Sequence, residues 1–156
     1  MEVVARAATE ADLDELVALY RGFCKDLAAE RGGELHLRKE GFSPLLEDHF
    51  NDVMGDGRHL VLLGTLDKVP VGLVVAELGE LRDSSRLAAV DVLYVEPPAR
   101  EVGVGESLLE AVANWATSNG ASGIDIRVLP GMRQAKNFLE GSGFVARLLV
   151  MHRRLG

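Results

Sequence analysis

The residues best suited to chemistry lie in one run, Val95-Glu96-Pro97-Pro98-Ala99-Arg100-Glu101-Val102-Gly103-Val104-Gly105-Glu106-Ser107-Leu108-Leu109. An apolar, strand-like stretch ends in two prolines; an arginine and two glycines follow, and an amphipathic helix begins at once. That order sets bare backbone N–H groups at the positive end of a helix dipole, a place suited to the phosphates of a nucleotide-like ligand. Two well-known phosphate loops do not fit. A dinucleotide fingerprint needs G-x-G-x-x-G near the chain start, and here Leu108 stands where its third glycine belongs. A P-loop needs G-x-x-x-x-G-K-[ST], a string the chain lacks. Glycine is also common at strand–helix junctions, so the turn alone leaves a ligand site and a structural turn both open.

Other reactive side chains are sparse. Cys24 is the one cysteine, and its position in the first helical pattern reads as a buried structural thiol rather than a nucleophile. It cannot form an internal disulfide, which fits a reducing, cytoplasmic setting. His49 falls on the apolar face of a helix and reads as a packing residue. His36 and His59 show no metal-ligand spacing, so no metal site is expected.

The elements that must hold this turn can be read from period and punctuation. Residues 2–6 form a short strand. Thr9-Glu10-Ala11-Asp12 is a capping box, and Leu13, Leu16, Val17, Tyr20, Phe23, Cys24 and Leu27 carry a helix to about Ala28. Glu30 to Gly41 has three glycines and no apolar period and is expected to be a loop. Ser43 as N-cap and Pro44 at the first helical position open a second helix that closes at Gly55 or Gly57. His59–Leu66 and Pro70–Leu78 then pair around Asp67-Lys68, and Leu87–Val95 adds a third antiparallel strand. The helix after Gly105 ends near Asn119-Gly120. Ile124–Val128 follows as a strand, parallel to Leu87–Val95 if the crossover is right-handed. Met132–Glu140 is a short helix, and Phe144–His152 a final strand. The order is β-αα-βββ-α-β-α-β, a single α/β domain over residues 1–156.

Composition narrows the function classes. The chain has 156 residues, 47% hydrophobic and 26% charged, enough for one well-buried core. Its net charge of −7 argues against nonspecific nucleic-acid binding and mildly favours cationic substrates such as amines. Met1–Arg6 has no apolar h-region and predicts no signal peptide, and no apolar run approaches the roughly 20 residues that span a bilayer.

Two motifs together carry a family resemblance. Val95-x-Pro97-x-x-Arg100-x-x-Gly103-x-Gly105-x-x-Leu108-Leu109 resembles the R/Q-x-x-G-x-G/A acyl-CoA motif of the GNAT superfamily of N-acyltransferases. Downstream, Ala135-x-x-Phe138-Leu139-Glu140-x-x-Gly143-Phe144 is similar to its A-x-x-F-Y-E-x-x-G-F pattern. The element order matches that fold over almost the whole chain: a mixed, mostly antiparallel central sheet with splayed strands and flanking helices.

The resemblance implies acetyl-CoA as cosubstrate and an amine as acceptor, joined by direct attack on the thioester. It implies that the pantetheine arm pairs with strand backbone at Leu93, Tyr94 and Val95. The pyrophosphate would rest on the N–H groups of Arg100, Glu101, Val102, Gly103, Val104 and Gly105. Gly103 and Gly105 lack a Cβ and would admit the phosphates closely. Arg133 and Lys136 could meet the 3′-phosphate or be solvated surface charge. The base in this family is a carboxylate on or near the strand before the turn. Asp91 is the one carboxylate inside that strand, and it could be the base or hydrogen-bond a neighbouring loop. Glu96 is a weaker candidate. Simple alternation puts Asp91 on one face with Ala89, Leu93 and Val95, and Tyr94 on the other. Leu139 replaces the tyrosine that protonates the leaving thiolate, which leaves Tyr94 as a weak candidate acid. The same gap keeps alive a rival reading, an acyl-CoA-binding sensor with little catalysis. A structural interaction domain is the third. The resemblance also allows a homodimer, with the apolar final strand at its interface.

Overall fold

A computed structural model describes residues 1–156. Its elements are β1 (Val3–Ala7), α1 (Leu13–Ala28), α2 (Gly33–Glu40), α3 (Leu46–Met54), β2 (His59–Leu66), β3 (Val69–Glu80), β4 (Arg86–Val95), α4 (Val104–Ser118), β5 (Ala121–Ile126) and α5 (Arg133–Gly141). The strands lie in chain order in one five-stranded sheet, antiparallel from β1 to β4, with β5 parallel to β4. This is the mixed, mostly antiparallel α/β architecture the sequence predicts. Asp67 and Lys68 both take positive φ, 48° and 71°, the geometry of a two-residue hairpin whose twist matches its strands.

Two cores sandwich the sheet. On one face Leu16, Leu19 and Tyr20 of α1 and Phe50 of α3 bury against Leu63, Leu73, Val75 and Val92. On the other, Val104, Leu108 and Val112 of α4 bury against Leu62, Val74, Ala76 and Val90. The start of α4 is set by a notch. Gly64 and Gly72 are cross-strand partners in β2 and β3, and a Cβ at either would lie 2.6 and 3.0 Å from Val104 Cγ1. Only bare backbone lets the first turn of α4 sit this low on the sheet.

The capping box forms, with the Thr9 N–H donating to the Asp12 carboxylate at 2.9 Å. A 3-10 turn over Glu10–Asp12 leads into α1. Arg6 clamps the same carboxylate with two N–H donors and holds its pKa down at about 2.

Three expectations need correction. Glu30–Gly41 is not a loop, because α2 fills most of it. Its Glu, Leu, Arg and Lys residues are good helix formers, and Gly33 lies so close to the Leu27 carbonyl that any side chain there would collide. Docking supplies what periodicity did not show. The helix expected from Ser43-Pro44 starts later, with Leu45 as its cap. The final strand over Phe144–His152 is absent: past Gly143 the chain has no regular structure and pairs with neither open edge of the sheet.

Candidate functional site

The site begins where β4 stops being an ordinary strand. Its ladder with β3 pairs Val92 with Val75 and Val90 with Ala76, leaving Asp91 as an extra, bulged residue. Its ladder with β5 ends at Val90, opposite Ile126. From Asp91 to Val95 the β5-facing edge of β4 therefore has no strand partner, and the two parallel strands part company.

The bulge also changes which side chains share a face. Before it, Ala88 and Val90 point towards α4; after it, Val92 and Tyr94 point towards α1 while Leu93 and Val95 point towards α4. Asp91 lines a pocket with Val92, Tyr20, His36, Glu40 and Phe42, on the α1 side. The expected grouping of Asp91 with Leu93 and Val95 is thus overturned, and so is its separation from Tyr94. Both lie on the α1 face, roughly 10 Å apart along the strand.

Asp91 is mostly shielded from solvent. Burial, and next the Glu77 carboxylate, push its pKa up to about 6, and Arg127 works in the opposite direction. The Arg127 guanidinium spans Asp91 at 3.4 Å and Glu40 at 3.5 Å, linking β5's exit, β4 and α2. Neither Arg127 nor Glu40 shows any motif, and only their convergence on Asp91 reveals them. Around them Tyr20 stacks on Phe42 with centroids 4.4 Å apart, and Phe42 stacks on His49 at 4.0 Å. The Tyr20 hydroxyl accepts the Phe42 N–H at 2.8 Å, and burial raises its pKa. Burial also lowers the pKa of His36 and His49 and raises that of Cys24, so these groups stay uncharged near neutrality.

At the end of β4 the chain makes a 3-10 turn over Pro97–Ala99 and enters the glycine turn. Glu101 and Gly103 both take positive φ, 70° and 96°, and Gly103 caps α4 without any side-chain bond. The Arg100 N–H, expected among the phosphate donors, is instead spent on the Pro97 carbonyl at 3.3 Å; those of Glu101, Val102, Gly103, Val104, Gly105 and Glu106 donate to no backbone carbonyl, and Ser107 resumes the bonding, to Gly103 at 3.0 Å. Unspent donors converge at the positive end of a fifteen-residue helix.

Two details differ from expectation. A Cβ on Gly105 would meet the Phe138 ring at 3.3 Å, so its bareness admits α5 against α4, whereas Gly103 faces open space. The Val95 carbonyl is also occupied: Arg100 Nε donates to it at 2.8 Å, while its Nη2 pairs with Asp26 of α1 at 2.8 Å and its guanidinium lies 5.7 Å from the Tyr94 ring centre. Arg100 staples the strand end to α1. The Tyr94 ring passes over Gly22, where a Cβ would lie 2.6 Å from its hydroxyl, and burial raises the phenol's pKa. Arg133 and Lys136 are exposed on α5, the helix whose Phe138 meets Gly105, with Lys136 3.4 Å from Glu140. Leu139 is buried.

A larger cavity, about 330 Å³, opens at the far end of the sheet beside Gly79 and Glu80. Its guanidiniums are committed to the carbonyls of Leu78 and Asn119, and it holds no nucleophile. No group of three or more His, Cys, Asp or Glu residues is placed to hold a metal. No helix is long and apolar enough to cross a membrane.

The sequence model of the Acetyltransferase (GNAT) family matches residues 23–144, and the chain belongs to that family. Solved structures agree on the fold. A transcriptional regulator from Bacillus halodurans C-125 superposes with a TM-score of 0.77 at 21% identity, covering 99% of this chain and 100% of that one. A ribosomal-protein-alanine N-acetyltransferase from Brucella melitensis gives 0.74 at 16%, covering 99% and 100%. An aminoglycoside acetyltransferase from an uncultured soil metagenomic sample, in complex with sisomicin, gives 0.69 at 20%, covering 99% and 95%. No curated protein matches the sequence significantly.

Proposed function

We propose that the chain is an acetyl-CoA-dependent N-acetyltransferase that acetylates an amine by direct transfer. One observation carries the reading: β4 loses β5 at Asp91 and hands on to free N–H groups at the start of α4. The fit to the cosubstrate rests on that geometry. The N–H groups of Glu101 to Glu106 suit a pyrophosphate, and the unpartnered β4 edge at Leu93 and Tyr94 suits an amide-bearing arm. Arg133 and Lys136, exposed on α5, are the cations we assign to a 3′-phosphate. Acetyl-CoA supplies an activated acetyl thioester.

The chain's own residues do the rest. Asp91 takes the proton from the acceptor ammonium; a carboxylate with a pKa near 6 is ionised at neutral pH yet basic enough to help. The aromatic wall of Tyr20 and Phe42 excludes water, and the carboxylates of Asp91 and Glu40 favour a cation. Arg127 holds that place until an ammonium competes for it. Tyr94, on the same face as Asp91, is the available proton donor for the thiolate, since Leu139 has no proton to give. An unperturbed thiol pKa near 8.5 already makes a tolerable leaving group. We infer that the partners are a small-molecule or peptide amine and neither nucleic acid nor membrane. The lone cysteine fits a cytoplasmic setting.

The buried Leu139 also favours a second reading, an acyl-CoA sensor with little turnover. Thermal unfolding with and without acetyl-CoA separates them, followed by free-thiol release over an amine panel that includes an aminoglycoside and an alanine-terminated peptide. We expect a shift and thiol release. No shift at saturating ligand removes both readings; a shift without release from any amine selects the sensor.

A further inference from the structure

The edge of β4 that β5 leaves open is already occupied at one point. The Glu96 N–H turns towards β3 and donates to the Val71 carbonyl at 2.8 Å. Backbone groups alternate between the two edges of a strand, so those of Leu93 and Val95 face the open edge. The Val95 carbonyl is the last acceptor on that edge before the glycine turn. An amide N–H of an extended ligand lying along β4 would donate to it, and Arg100 Nε takes that place at 2.8 Å.

Arg100 is held there from α1. Its Nη2 donates to the Asp26 carboxylate at 2.8 Å, and its guanidinium carbon lies 5.7 Å from the Tyr94 ring centre. Gly22 and Asp26, four residues apart on α1, share one face of the helix. Gly22 leaves room for the Tyr94 ring, and Asp26 takes the guanidinium beside it. A planar guanidinium fixed through two donors cannot swing away while both partners keep it. Both side chains are nonetheless partly exposed, 42% for Arg100 and 37% for Asp26. The contact therefore opens at the cost of a surface ion pair and one hydrogen bond, with no core disturbed. A contact this weak, on an acceptor the ligand needs, is suited to displacement.

We propose, on the basis of the acetyl-CoA reading above, that Asp26 is a positioning residue: through Arg100 it closes the Val95 carbonyl, and acetyl-CoA binds by displacing that guanidinium from β4. The resting chain then carries its own competitor for the arm's place. Loosening either end of the contact should tighten the cosubstrate, the reverse of what a merely supporting contact would do.

Isothermal titration of acetyl-CoA into the full-length protein tests this, with Asp26→Asn, Arg100→Lys and the double variant beside the wild type. Asp26→Asn removes the anion that anchors Nη2. Arg100→Lys keeps every charge and ends the planar fork, so a gain there is not a general effect of charge. Each should lower the Kd about fivefold, the order of one charge-assisted hydrogen bond at a part-exposed position. The double variant should gain no more than either single one, because both open the same contact. Thermal midpoints without ligand should stay close to wild type, as expected of a surface pair. A wild type that does not bind acetyl-CoA overturns the acetyl-CoA reading and this proposal together. A wild type that binds, with either single variant binding no more tightly, overturns the role of Asp26 and leaves the acetyl-CoA reading in place. Gains that add in the double variant overturn that role too.

Discussion

The two halves of β4 differ by one residue's worth of geometry. Arg86–Val90 is bonded to β3 on one edge and β5 on the other and serves the core. Asp91–Val95 keeps β3, loses β5, and offers its free edge beside the glycine turn. Both halves are apolar and of similar composition. The difference is the bulge at Asp91, which breaks the β3 register, turns Tyr94 onto the acidic face and lets β5 diverge. A site can thus be made from a core strand by inserting one residue.

The largest effects should fall on opposite sides of that boundary. Asp91→Asn should lower kcat by about 10²–10⁴-fold, the usual worth of a positioned base, with the acetyl-CoA thermal shift unchanged. Val90→Ala, one residue away in the paired half, should cost roughly 2 kcal/mol of stability with kcat retained. If Asp91→Asn loses stability and keeps its rate, the two halves do not differ in the way argued.

Gly105→Val tests the junction with α4. The added side chain meets Phe138, so the acetyl-CoA shift should vanish, and pairing it with Phe138→Ala should bring the shift back. A double variant still blind to acetyl-CoA would mean that the glycine serves the phosphates directly.

The pH dependence sharpens the same boundary more finely. With a folded pKa of about 6 against an ordinary 3.8, folded Asp91 binds its proton more tightly than the unfolded chain does. Its contribution to stability therefore falls as pH rises from about 4 through about 6. The activity of an ionised base rises over the upper part of the same window. Asp91→Asn should flatten both trends in pH-dependent unfolding and in kcat/KM. Arg127→Gln removes a cation that favours the ionised form, so the rising limb of kcat/KM should move to higher pH; a limb that stays put would free Asp91 from that role.

The smallest effect is at the turn itself. Glu101 holds a positive φ that glycine takes without penalty, so Glu101→Gly should raise stability by up to about 1 kcal/mol with the acetyl-CoA shift preserved. Chemical denaturation measures it.

Much of this was legible in advance because it is local. The β2–β3 hairpin, the helix after Gly105 and the short α5 follow from period and punctuation, and the turn's free N–H groups follow from strand, glycines and helix in succession. The α2 helix was not legible, since eight mostly polar residues have no apolar stripe and are held by contacts with α1. Asp26, Glu40 and Arg127 escaped notice because each lies far in sequence from the residue it meets.

The sequence by itself determined which family the chain resembles, through two motifs and the order of the elements, and where most backbone donors would be left unspent, because each of these signals is written in residues close together along the chain. Tertiary structure decided how those parts work together. Whether Asp91 and Tyr94 share a face depends on a bulge that only pairing with β3 creates, and strand alternation read along one chain cannot contain it. Gly105 met Phe138, Arg100 took the Val95 carbonyl, and the C-terminal segment found no partner within its own sheet. Each is set by a neighbour brought close in space by the packing of α1, α4 and α5 on the sheet.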